Sequence, residues 1–272
     1  MKYIFRITEL IRIGINGESL VMASALAFST LLAIVPLVTV IFSTLSLFPM
    51  FEQWKLIVEQ FVFANFVPAT GEVVNEYLQT FSGQAGKLTA VGLATLLATS
   101  LMLLATIENS FNKMWSVNTG RSAGQRVLVY WALLTLGPIL IIVSLAFTSY
   151  LLAESILGEV AGVSGAVDLL LPLLPVVLEF SSFLLLYTLV PNRPAQWWPA
   201  VLGAVIATVL FEVAKGSFSW YVSHFNSFEV IYGAVGVIPI FLIWIYISWL
   251  VILAGGRFSV FFENKSPSDI NH

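Results

Sequence analysis

Residues 198–220 read WPAVLGAVIATVLFEVAKGSFSW. A helix over this stretch rises roughly 34 Å at ~1.5 Å per residue, enough to cross a ~30 Å hydrocarbon core. Its apolar residues run continuously rather than alternating, which fits a helix and not a barrel strand. Yet Glu212 and Lys215 sit inside it. Facing lipid, each would cost several kcal/mol, so both should face the protein interior, a partner or water. The stretch therefore fixes two expectations together: an α-helical membrane protein, and a polar feature within the membrane.

Working outward, five more apolar stretches of similar length fall near 20–48, 88–108, 128–152, 166–190 and 234–262. The expected fold is all-α, a polytopic transmembrane bundle of six spans forming a single membrane domain. The composition demands lipid: 58% of the chain is hydrophobic and only 10% charged, against about 25% charged in soluble domains. The first apolar run, Leu20 to Phe48, exceeds the roughly 7–15 residues of a signal-peptide core and is expected to stay as a span. Pro36, Pro138, Pro172, Pro175 and Pro239 fall inside these stretches, where kinks are expected.

The basic residues set the orientation. Lys2, Arg6, Arg12, Lys113, Arg121, Arg126, Arg193, Arg257 and Lys265 share one side of a six-span arrangement. Lys55 and Lys87 fall on the other side, and Lys215 lies within a span. The positive-inside rule puts the richer side, with both termini, in the cytoplasm. The loop from Ala153 to Gly165 carries two acids and no base, as an outside loop should. Trp54, Trp115, Trp131, Trp197, Trp198, Trp220 and Tyr221 cluster near span ends, where interfacial rings prefer to sit.

Residues 1–18 read as a short cytoplasmic amphipathic segment, and 263–272 as a cytoplasmic tail. The long outside loop, 49–87, carries two amphipathic stripes. Trp54, Ile57, Val58, Phe61 and Val62 form one, and Val73, Val74, Tyr77, Leu78 and Phe81 the other. Helices lying on the outer leaflet or capping the bundle fit both.

The short connection between spans four and five makes them antiparallel neighbours. Glu179 lies twelve residues before Pro191, and Glu212 fifteen after Trp197, roughly 18 and 22 Å along their helices. A Glu179–Lys215–Glu212 cluster near the midplane is therefore expected. It can be a site for a substrate headgroup or a coupling ion, or a structural triad that fixes helix register. Glu108, Asn109, Ser110, Asn112 and Lys113 form a second polar knot at the end of span two, explained by capping and anchoring or by function. LLATIENSF in span two echoes VLFEVAKGSF in span five, as an inverted repeat would.

No cofactor and no metal are expected. The chain has no cysteine and two histidines, His224 and His272, so thiolate and histidine-rich metal sites are excluded. There is no phosphate-binding glycine loop, no Ser/His/Asp arrangement and no basic track for nucleic acid. An enzyme is not expected. Membrane lipids are the expected partners, with envelope proteins as further candidates.

In the carboxyl half, Val190-Pro191-Asn192 and Ile231-Tyr232-Gly233-Ala234 occur in order. With ALAFSTLLAIVPL in span one and LLATIENSFNKMW in span two, the chain resembles the YihY/BrkB family, formerly labelled ribonuclease BN-like. The resemblance implies a six-helix protein of the bacterial inner membrane, in a family for which movement of lipids or lipopolysaccharide precursors has been proposed. Hydrolysis of phosphodiesters by metal would need clustered His, Asp or Glu, which the sequence does not offer. Members usually continue the last span with Gly-Ala-Glu; here it reads Gly255-Gly256-Arg257. The leading expectation is transport or flipping of an amphipathic, lipid-like substrate. The alternative is a non-transporting structural or envelope-assembly component, using Gly203-Ala204 and Gly233–Gly236 for close helix packing.

Overall fold

A computed structural model describes residues 14–45, 90–132, 173–224 and 237–264. All regular structure among them is helical. The elements are α1 (Gly17–Leu45), α2 (Ala90–Met114), α3 (123–132), α4 (Leu173–Leu189), α5 (Trp197–His224) and α6 (Val237–Asn264). Stretches within α1, α5 and α6 are long and apolar enough to cross a membrane, and α4 is a shorter apolar helix. The expected outer-loop helices of 49–87, the segment 1–13, most of span three, the loop 153–165 and the tail lie outside the described residues. So does the Ile231–Ala234 motif.

Local sequence sets the helix ends. Asn16 caps α1, its Oδ1 accepting from the Ser19 amide at 2.8 Å and the Ser19 hydroxyl at 3.0 Å. Ser122 and Gln125 begin α3 as a reciprocal capping box, 3.3 and 3.5 Å. At the end of α2, Val117 N–H bonds Asn112 O at 2.8 Å and Ser116 N–H bonds Lys113 O at 3.1 Å. This is the Schellman closure, with Ser116 at φ 55° where glycine is usual. Of the prolines expected to kink spans, Pro36 is inside α1, whereas Pro175 and Pro239 fall in the first described turns of α4 and α6.

The centre of the packing is α6, which lies against α5 on one side and α1 on the other; α4 packs on α5 and α2 on α1. The α5–α6 crossing is made of small residues. A Cβ added at Gly255 would come within 2.6 Å of Ala207 Cβ and 2.8 Å of Gly203 O. One added at Gly203 would meet Gly255 O at 2.6 Å and Ser259 Cβ at 2.8 Å. Gly203 with Ala207, and Gly255 with Ser259, are thus two small-xxx-small pairs meeting face to face, the close approach by which helices associate in lipid. Gly203 is consumed inside the molecule and is no surface for another protein; Gly233–Gly236 lies outside the described residues.

The outward faces are apolar. On α5, Val205, Val209 and Val213 are exposed, with Trp197 and Trp198 exposed at one end and Trp220 at the other. About 34 Å of helix separates Trp197 from Trp220, matching a hydrocarbon core with interfacial rings at each edge. Trp115 departs from the expected interfacial role. It is 8% exposed, its ring stacked on Phe111 and tilted against Tyr187, so that it lies at the end of α2 but faces the bundle.

Replacing Gly255 with alanine is expected to overpack the crossing and lower stability by about 1–3 kcal/mol. Gly216→Ala, at an exposed position with nothing within 4 Å, should be neutral or slightly stabilising. Thermal unfolding of both variants in one detergent checks the contrast.

Candidate functional site

Among the described residues two polar clusters stand within the bundle. The first joins α4 to α5. Lys215 Nζ donates to Glu179 Oε1 and, at 3.0 Å, to Glu212 Oε1. The structure therefore brings together the three residues that hydropathy singled out. The Glu212 backbone lies about 22 Å beyond Trp197 and about 12 Å short of Trp220, so the cluster sits past the middle of α5. Its two ends differ. Glu179 is 1% exposed, whereas the Glu212 side chain is 40% exposed. Glu179 Oε2 is buried with no hydrogen-bond partner among the described residues. The surroundings are aromatic: Lys215 lies 5.7 Å from the Phe211 ring, which meets Phe183 and Trp244, each at 5.6 Å.

The second cluster lies at one end of the bundle, where the ends of α2, α4 and α6 and the starts of α1, α3 and α5 converge. Glu108, fully buried, accepts from Tyr130 OH at 2.7 Å and faces Arg126 at 3.7 Å and Arg121 at 4.0 Å. Arg121 also donates to the carbonyls of Leu189, Val190 and Pro191 at 2.6, 2.7 and 3.0 Å. Those carbonyls close α4, where the helix dipole favours a cation. Asn112 Oδ1 accepts the Asn192 amide at 2.7 Å, and Asn192 Nδ2 donates to Thr119 O at 2.8 Å. The Val190-Pro191-Asn192 motif is thus a docking segment: proline ends α4, and the freed polar groups are taken up by α2 and the turn after it. Glu108 and Asn112 belong to this network; Asn109 is exposed.

Further pairs close the same end. Arg193 pairs with Glu263 and lies 5.2 Å over the Trp115 ring, while Trp115 Nε1 donates to Glu263 Oε2 at 3.2 Å. Burial pulls the Arg193 guanidinium below its ordinary value, but an arginine still stays charged at neutral pH. Arg257 donates to Ser19 Oγ at 2.6 Å and Glu18 Oε2 at 2.8 Å, and Lys113 pairs with Glu18 at 3.1 Å. Arg257 thereby ties α6 to the start of α1.

Sequence reasoning treated Arg121, Arg126 and Arg193 as topological charges, and Arg257 also as a departure from the resembled pattern, and missed the pairing of all four. No spacing signal links Arg121 to residues 189–191, which are some seventy positions away. His224, which had no evident partner in the sequence, finds one on its own helix: its Nδ1 is 2.9 Å from Trp220 O and its ring stacks on Trp220. Among the described residues no group of three His, Cys, Asp or Glu could hold a metal.

The two clusters have different chemical capacities. The charged end is a lock of ion pairs and hydrogen bonds between helices, although Glu108 Oε1, Arg126 Nε and Arg193 Nε are also buried there without a hydrogen-bond partner among the described residues. The Glu179–Lys215–Glu212 cluster sets two carboxylates against one ammonium, keeps an unpaired oxygen and is open at Glu212, so it can take a ligand or an ion. Arg121→Ala removes a buried partner from Glu108 and three bonds from the end of α4, and should cost about 3 kcal/mol or more. Arg126→Ala, at a 40% exposed side chain, should cost about 1 kcal/mol or less. Unfolding midpoints of the two variants, compared under one condition, test that order.

The comparisons agree with this architecture. Residues 16–272 match the family model described as virulence factor BrkB. A UPF0761 membrane protein of Photobacterium profundum is 43% identical over 87% of this chain and 74% of its own length. Another, of Pseudoalteromonas translucida, is 40% identical over 94% and 85%. One of Vibrio vulnificus is 44% identical over 90% and 76%. No solved structure matches the chain. With the family model running from Asn16 to the last residue and relatives at this identity over most of their length, the chain belongs to the BrkB family, as an integral membrane protein.

Proposed function

We propose that the protein resides in the bacterial inner membrane with its charged end in the cytoplasm, and that it moves an amphipathic, lipid-like substrate rather than acting as an enzyme. The observation that carries this reading is the cluster of Glu179, Lys215 and Glu212, buried at Glu179 and open at Glu212. Charges at this depth in apolar helices mark substrate or ion pathways in membrane proteins. A lipid could enter from the side with its tails in the bilayer while its headgroup meets the cluster. The tightly paired charged end supports a state closed toward the cytoplasm and accessible near the Trp220 end of α5. Membrane lipids are then the principal partners; nucleic acid is not one.

The alternative, a non-transporting envelope component, draws support from the same lock at the charged end. It loses the Gly203 face, which α6 occupies.

Two experiments test the proposal. The chain has no cysteine, so Gly124→Cys at the exposed start of α3 gives one label; it should react only with reagents that reach the cytoplasm, and labelling from outside would overturn the orientation. In liposomes carrying headgroup-labelled native phospholipids, the full chain should speed transbilayer movement at least about tenfold, equivalent to about 1.4 kcal/mol of barrier. Glu212→Gln should bring the rate back near that of protein-free vesicles without changing the melting temperature. No movement with any native lipid, or an unaltered rate in the variant, would sink the transport reading.

A further inference from the structure

The cluster has more carboxylate than ammonium. Glu179 Oε1 and Glu212 Oε1 both accept from Lys215, while Glu179 Oε2, in a side chain 1% exposed, has no hydrogen-bond partner among the described residues. A fully ionised cluster of these three groups carries one negative charge, and the rings of Phe183, Phe211 and Trp244 beside it offer little to solvate that charge. A lone charge in such surroundings is expensive, and a bound cation removes the cost. A metal ion would need several oxygens, and no metal-holding group of acids or histidines occurs among the described residues. A proton needs one acceptor, which is what Glu179 Oε2 offers.

We infer that Glu179 is a reversible proton-binding carboxyl, reached through the exposed Glu212, whose protonation is coupled to the movement of the substrate. The inference rests on the transport reading for its purpose, though not for its chemistry. The carboxylate takes a hydron from the aqueous phase, forming one O–H bond, and the same bond breaks on release. With Glu179 neutral, Lys215 keeps Glu212 as its ionised partner and the three groups sum to zero charge. With Glu179 ionised, Lys215 bridges α4 and α5, as in this structure. Proton binding therefore weakens the one described ion pair between these two helices, which is how it would act on their packing. Among the described residues the charged groups facing Glu179 are both from α5, Lys215 and Glu212. On α6, Arg257 and Glu263 are engaged at the charged end, and Tyr246 is the other ionisable side chain of that helix.

The test is infrared difference spectroscopy of the purified full chain in lipid nanodiscs, titrated across about pH 4 to 9, with no transport substrate added. The expected result is a protonated-carboxyl C=O band that grows reversibly as pH falls, is absent in Glu179→Gln and changes frequency in Glu179→Asp. If Glu179→Gln does not fold, Glu179→Asp carries the assignment, because it keeps the carboxyl and alters only its vibration. In Glu212→Gln the band should persist but exchange more slowly in D2O. The absence of any titrating carboxyl, or a band unmoved by Glu179→Asp, would overturn the assignment. So would a band lost when sodium is raised at constant pH, which would make the site one for a metal cation. Because no lipid movement is read, this result can fail while transport stands, and the reverse.

Discussion

In lipid, α5 and α6 gain nothing from hiding apolar surface from each other, since the acyl chains are as apolar as their side chains. What holds them is contact, and the contact is possible because Gly203, Ala207, Gly255 and Ser259 leave room for the two backbones to meet. Much of the described molecule is arranged around that crossing. It sets α6 as the central helix, with α1 on its free side, and it brings α4 along the other face of α5. Tyr187 of α4 then reaches across to donate to Ile252 O of α6 at 2.7 Å. Trp249 of α6 donates to Thr30 Oγ1 of α1 at 3.0 Å. Each of these polar bonds crosses between helices inside an apolar body, where an unmade bond would be costly.

The distribution of charge follows from the same economy of solvation. Ion pairs collect at the end where chain connections gather: Arg121 with Glu108, Arg193 with Glu263, Arg257 and Lys113 with Glu18. There they join elements far apart in sequence, and they satisfy the carbonyls that α4 exposes as Pro191 ends it. The cluster on α4 and α5 is different in kind. It sits within helices that need no cap at that point, and the α4–α5 contact is already supplied by Phe183 and Phe211. A buried ion pair is seldom the cheapest way to fasten two helices, and under the proposed transport reading its cost is met by a role in handling the substrate.

Membership of the BrkB family gives the molecule its class, that of an integral membrane protein. Arg257 is stabilised by Glu18 and Ser19 at the start of α1, so its charge has a local electrostatic partner. The Val190-Pro191-Asn192 motif, in contrast, has a plain structural reason. Its atoms are held by Arg121, Asn112 and Thr119, and the α4–α5 connection depends on them.

The sequence by itself determined the helical membrane class, because uninterrupted apolar runs as long as residues 198–220 have few other fates. It also determined that Glu179, Glu212 and Lys215 would meet, since helix rise and a short connection leave antiparallel neighbours little freedom of register. Only the tertiary structure decided the rest. Arg121 on the α4 carbonyls, Arg193 over Trp115 and Arg257 against Glu18 join positions some seventy or more residues apart, and no local periodicity encodes such pairings. Nor could the sequence tell that Gly203 and Gly255 would face each other, or that Glu179 would be sealed while Glu212 stayed open. Which side of a helix meets a neighbour is fixed by packing, and hydropathy that is uniform around a helix carries no mark of it.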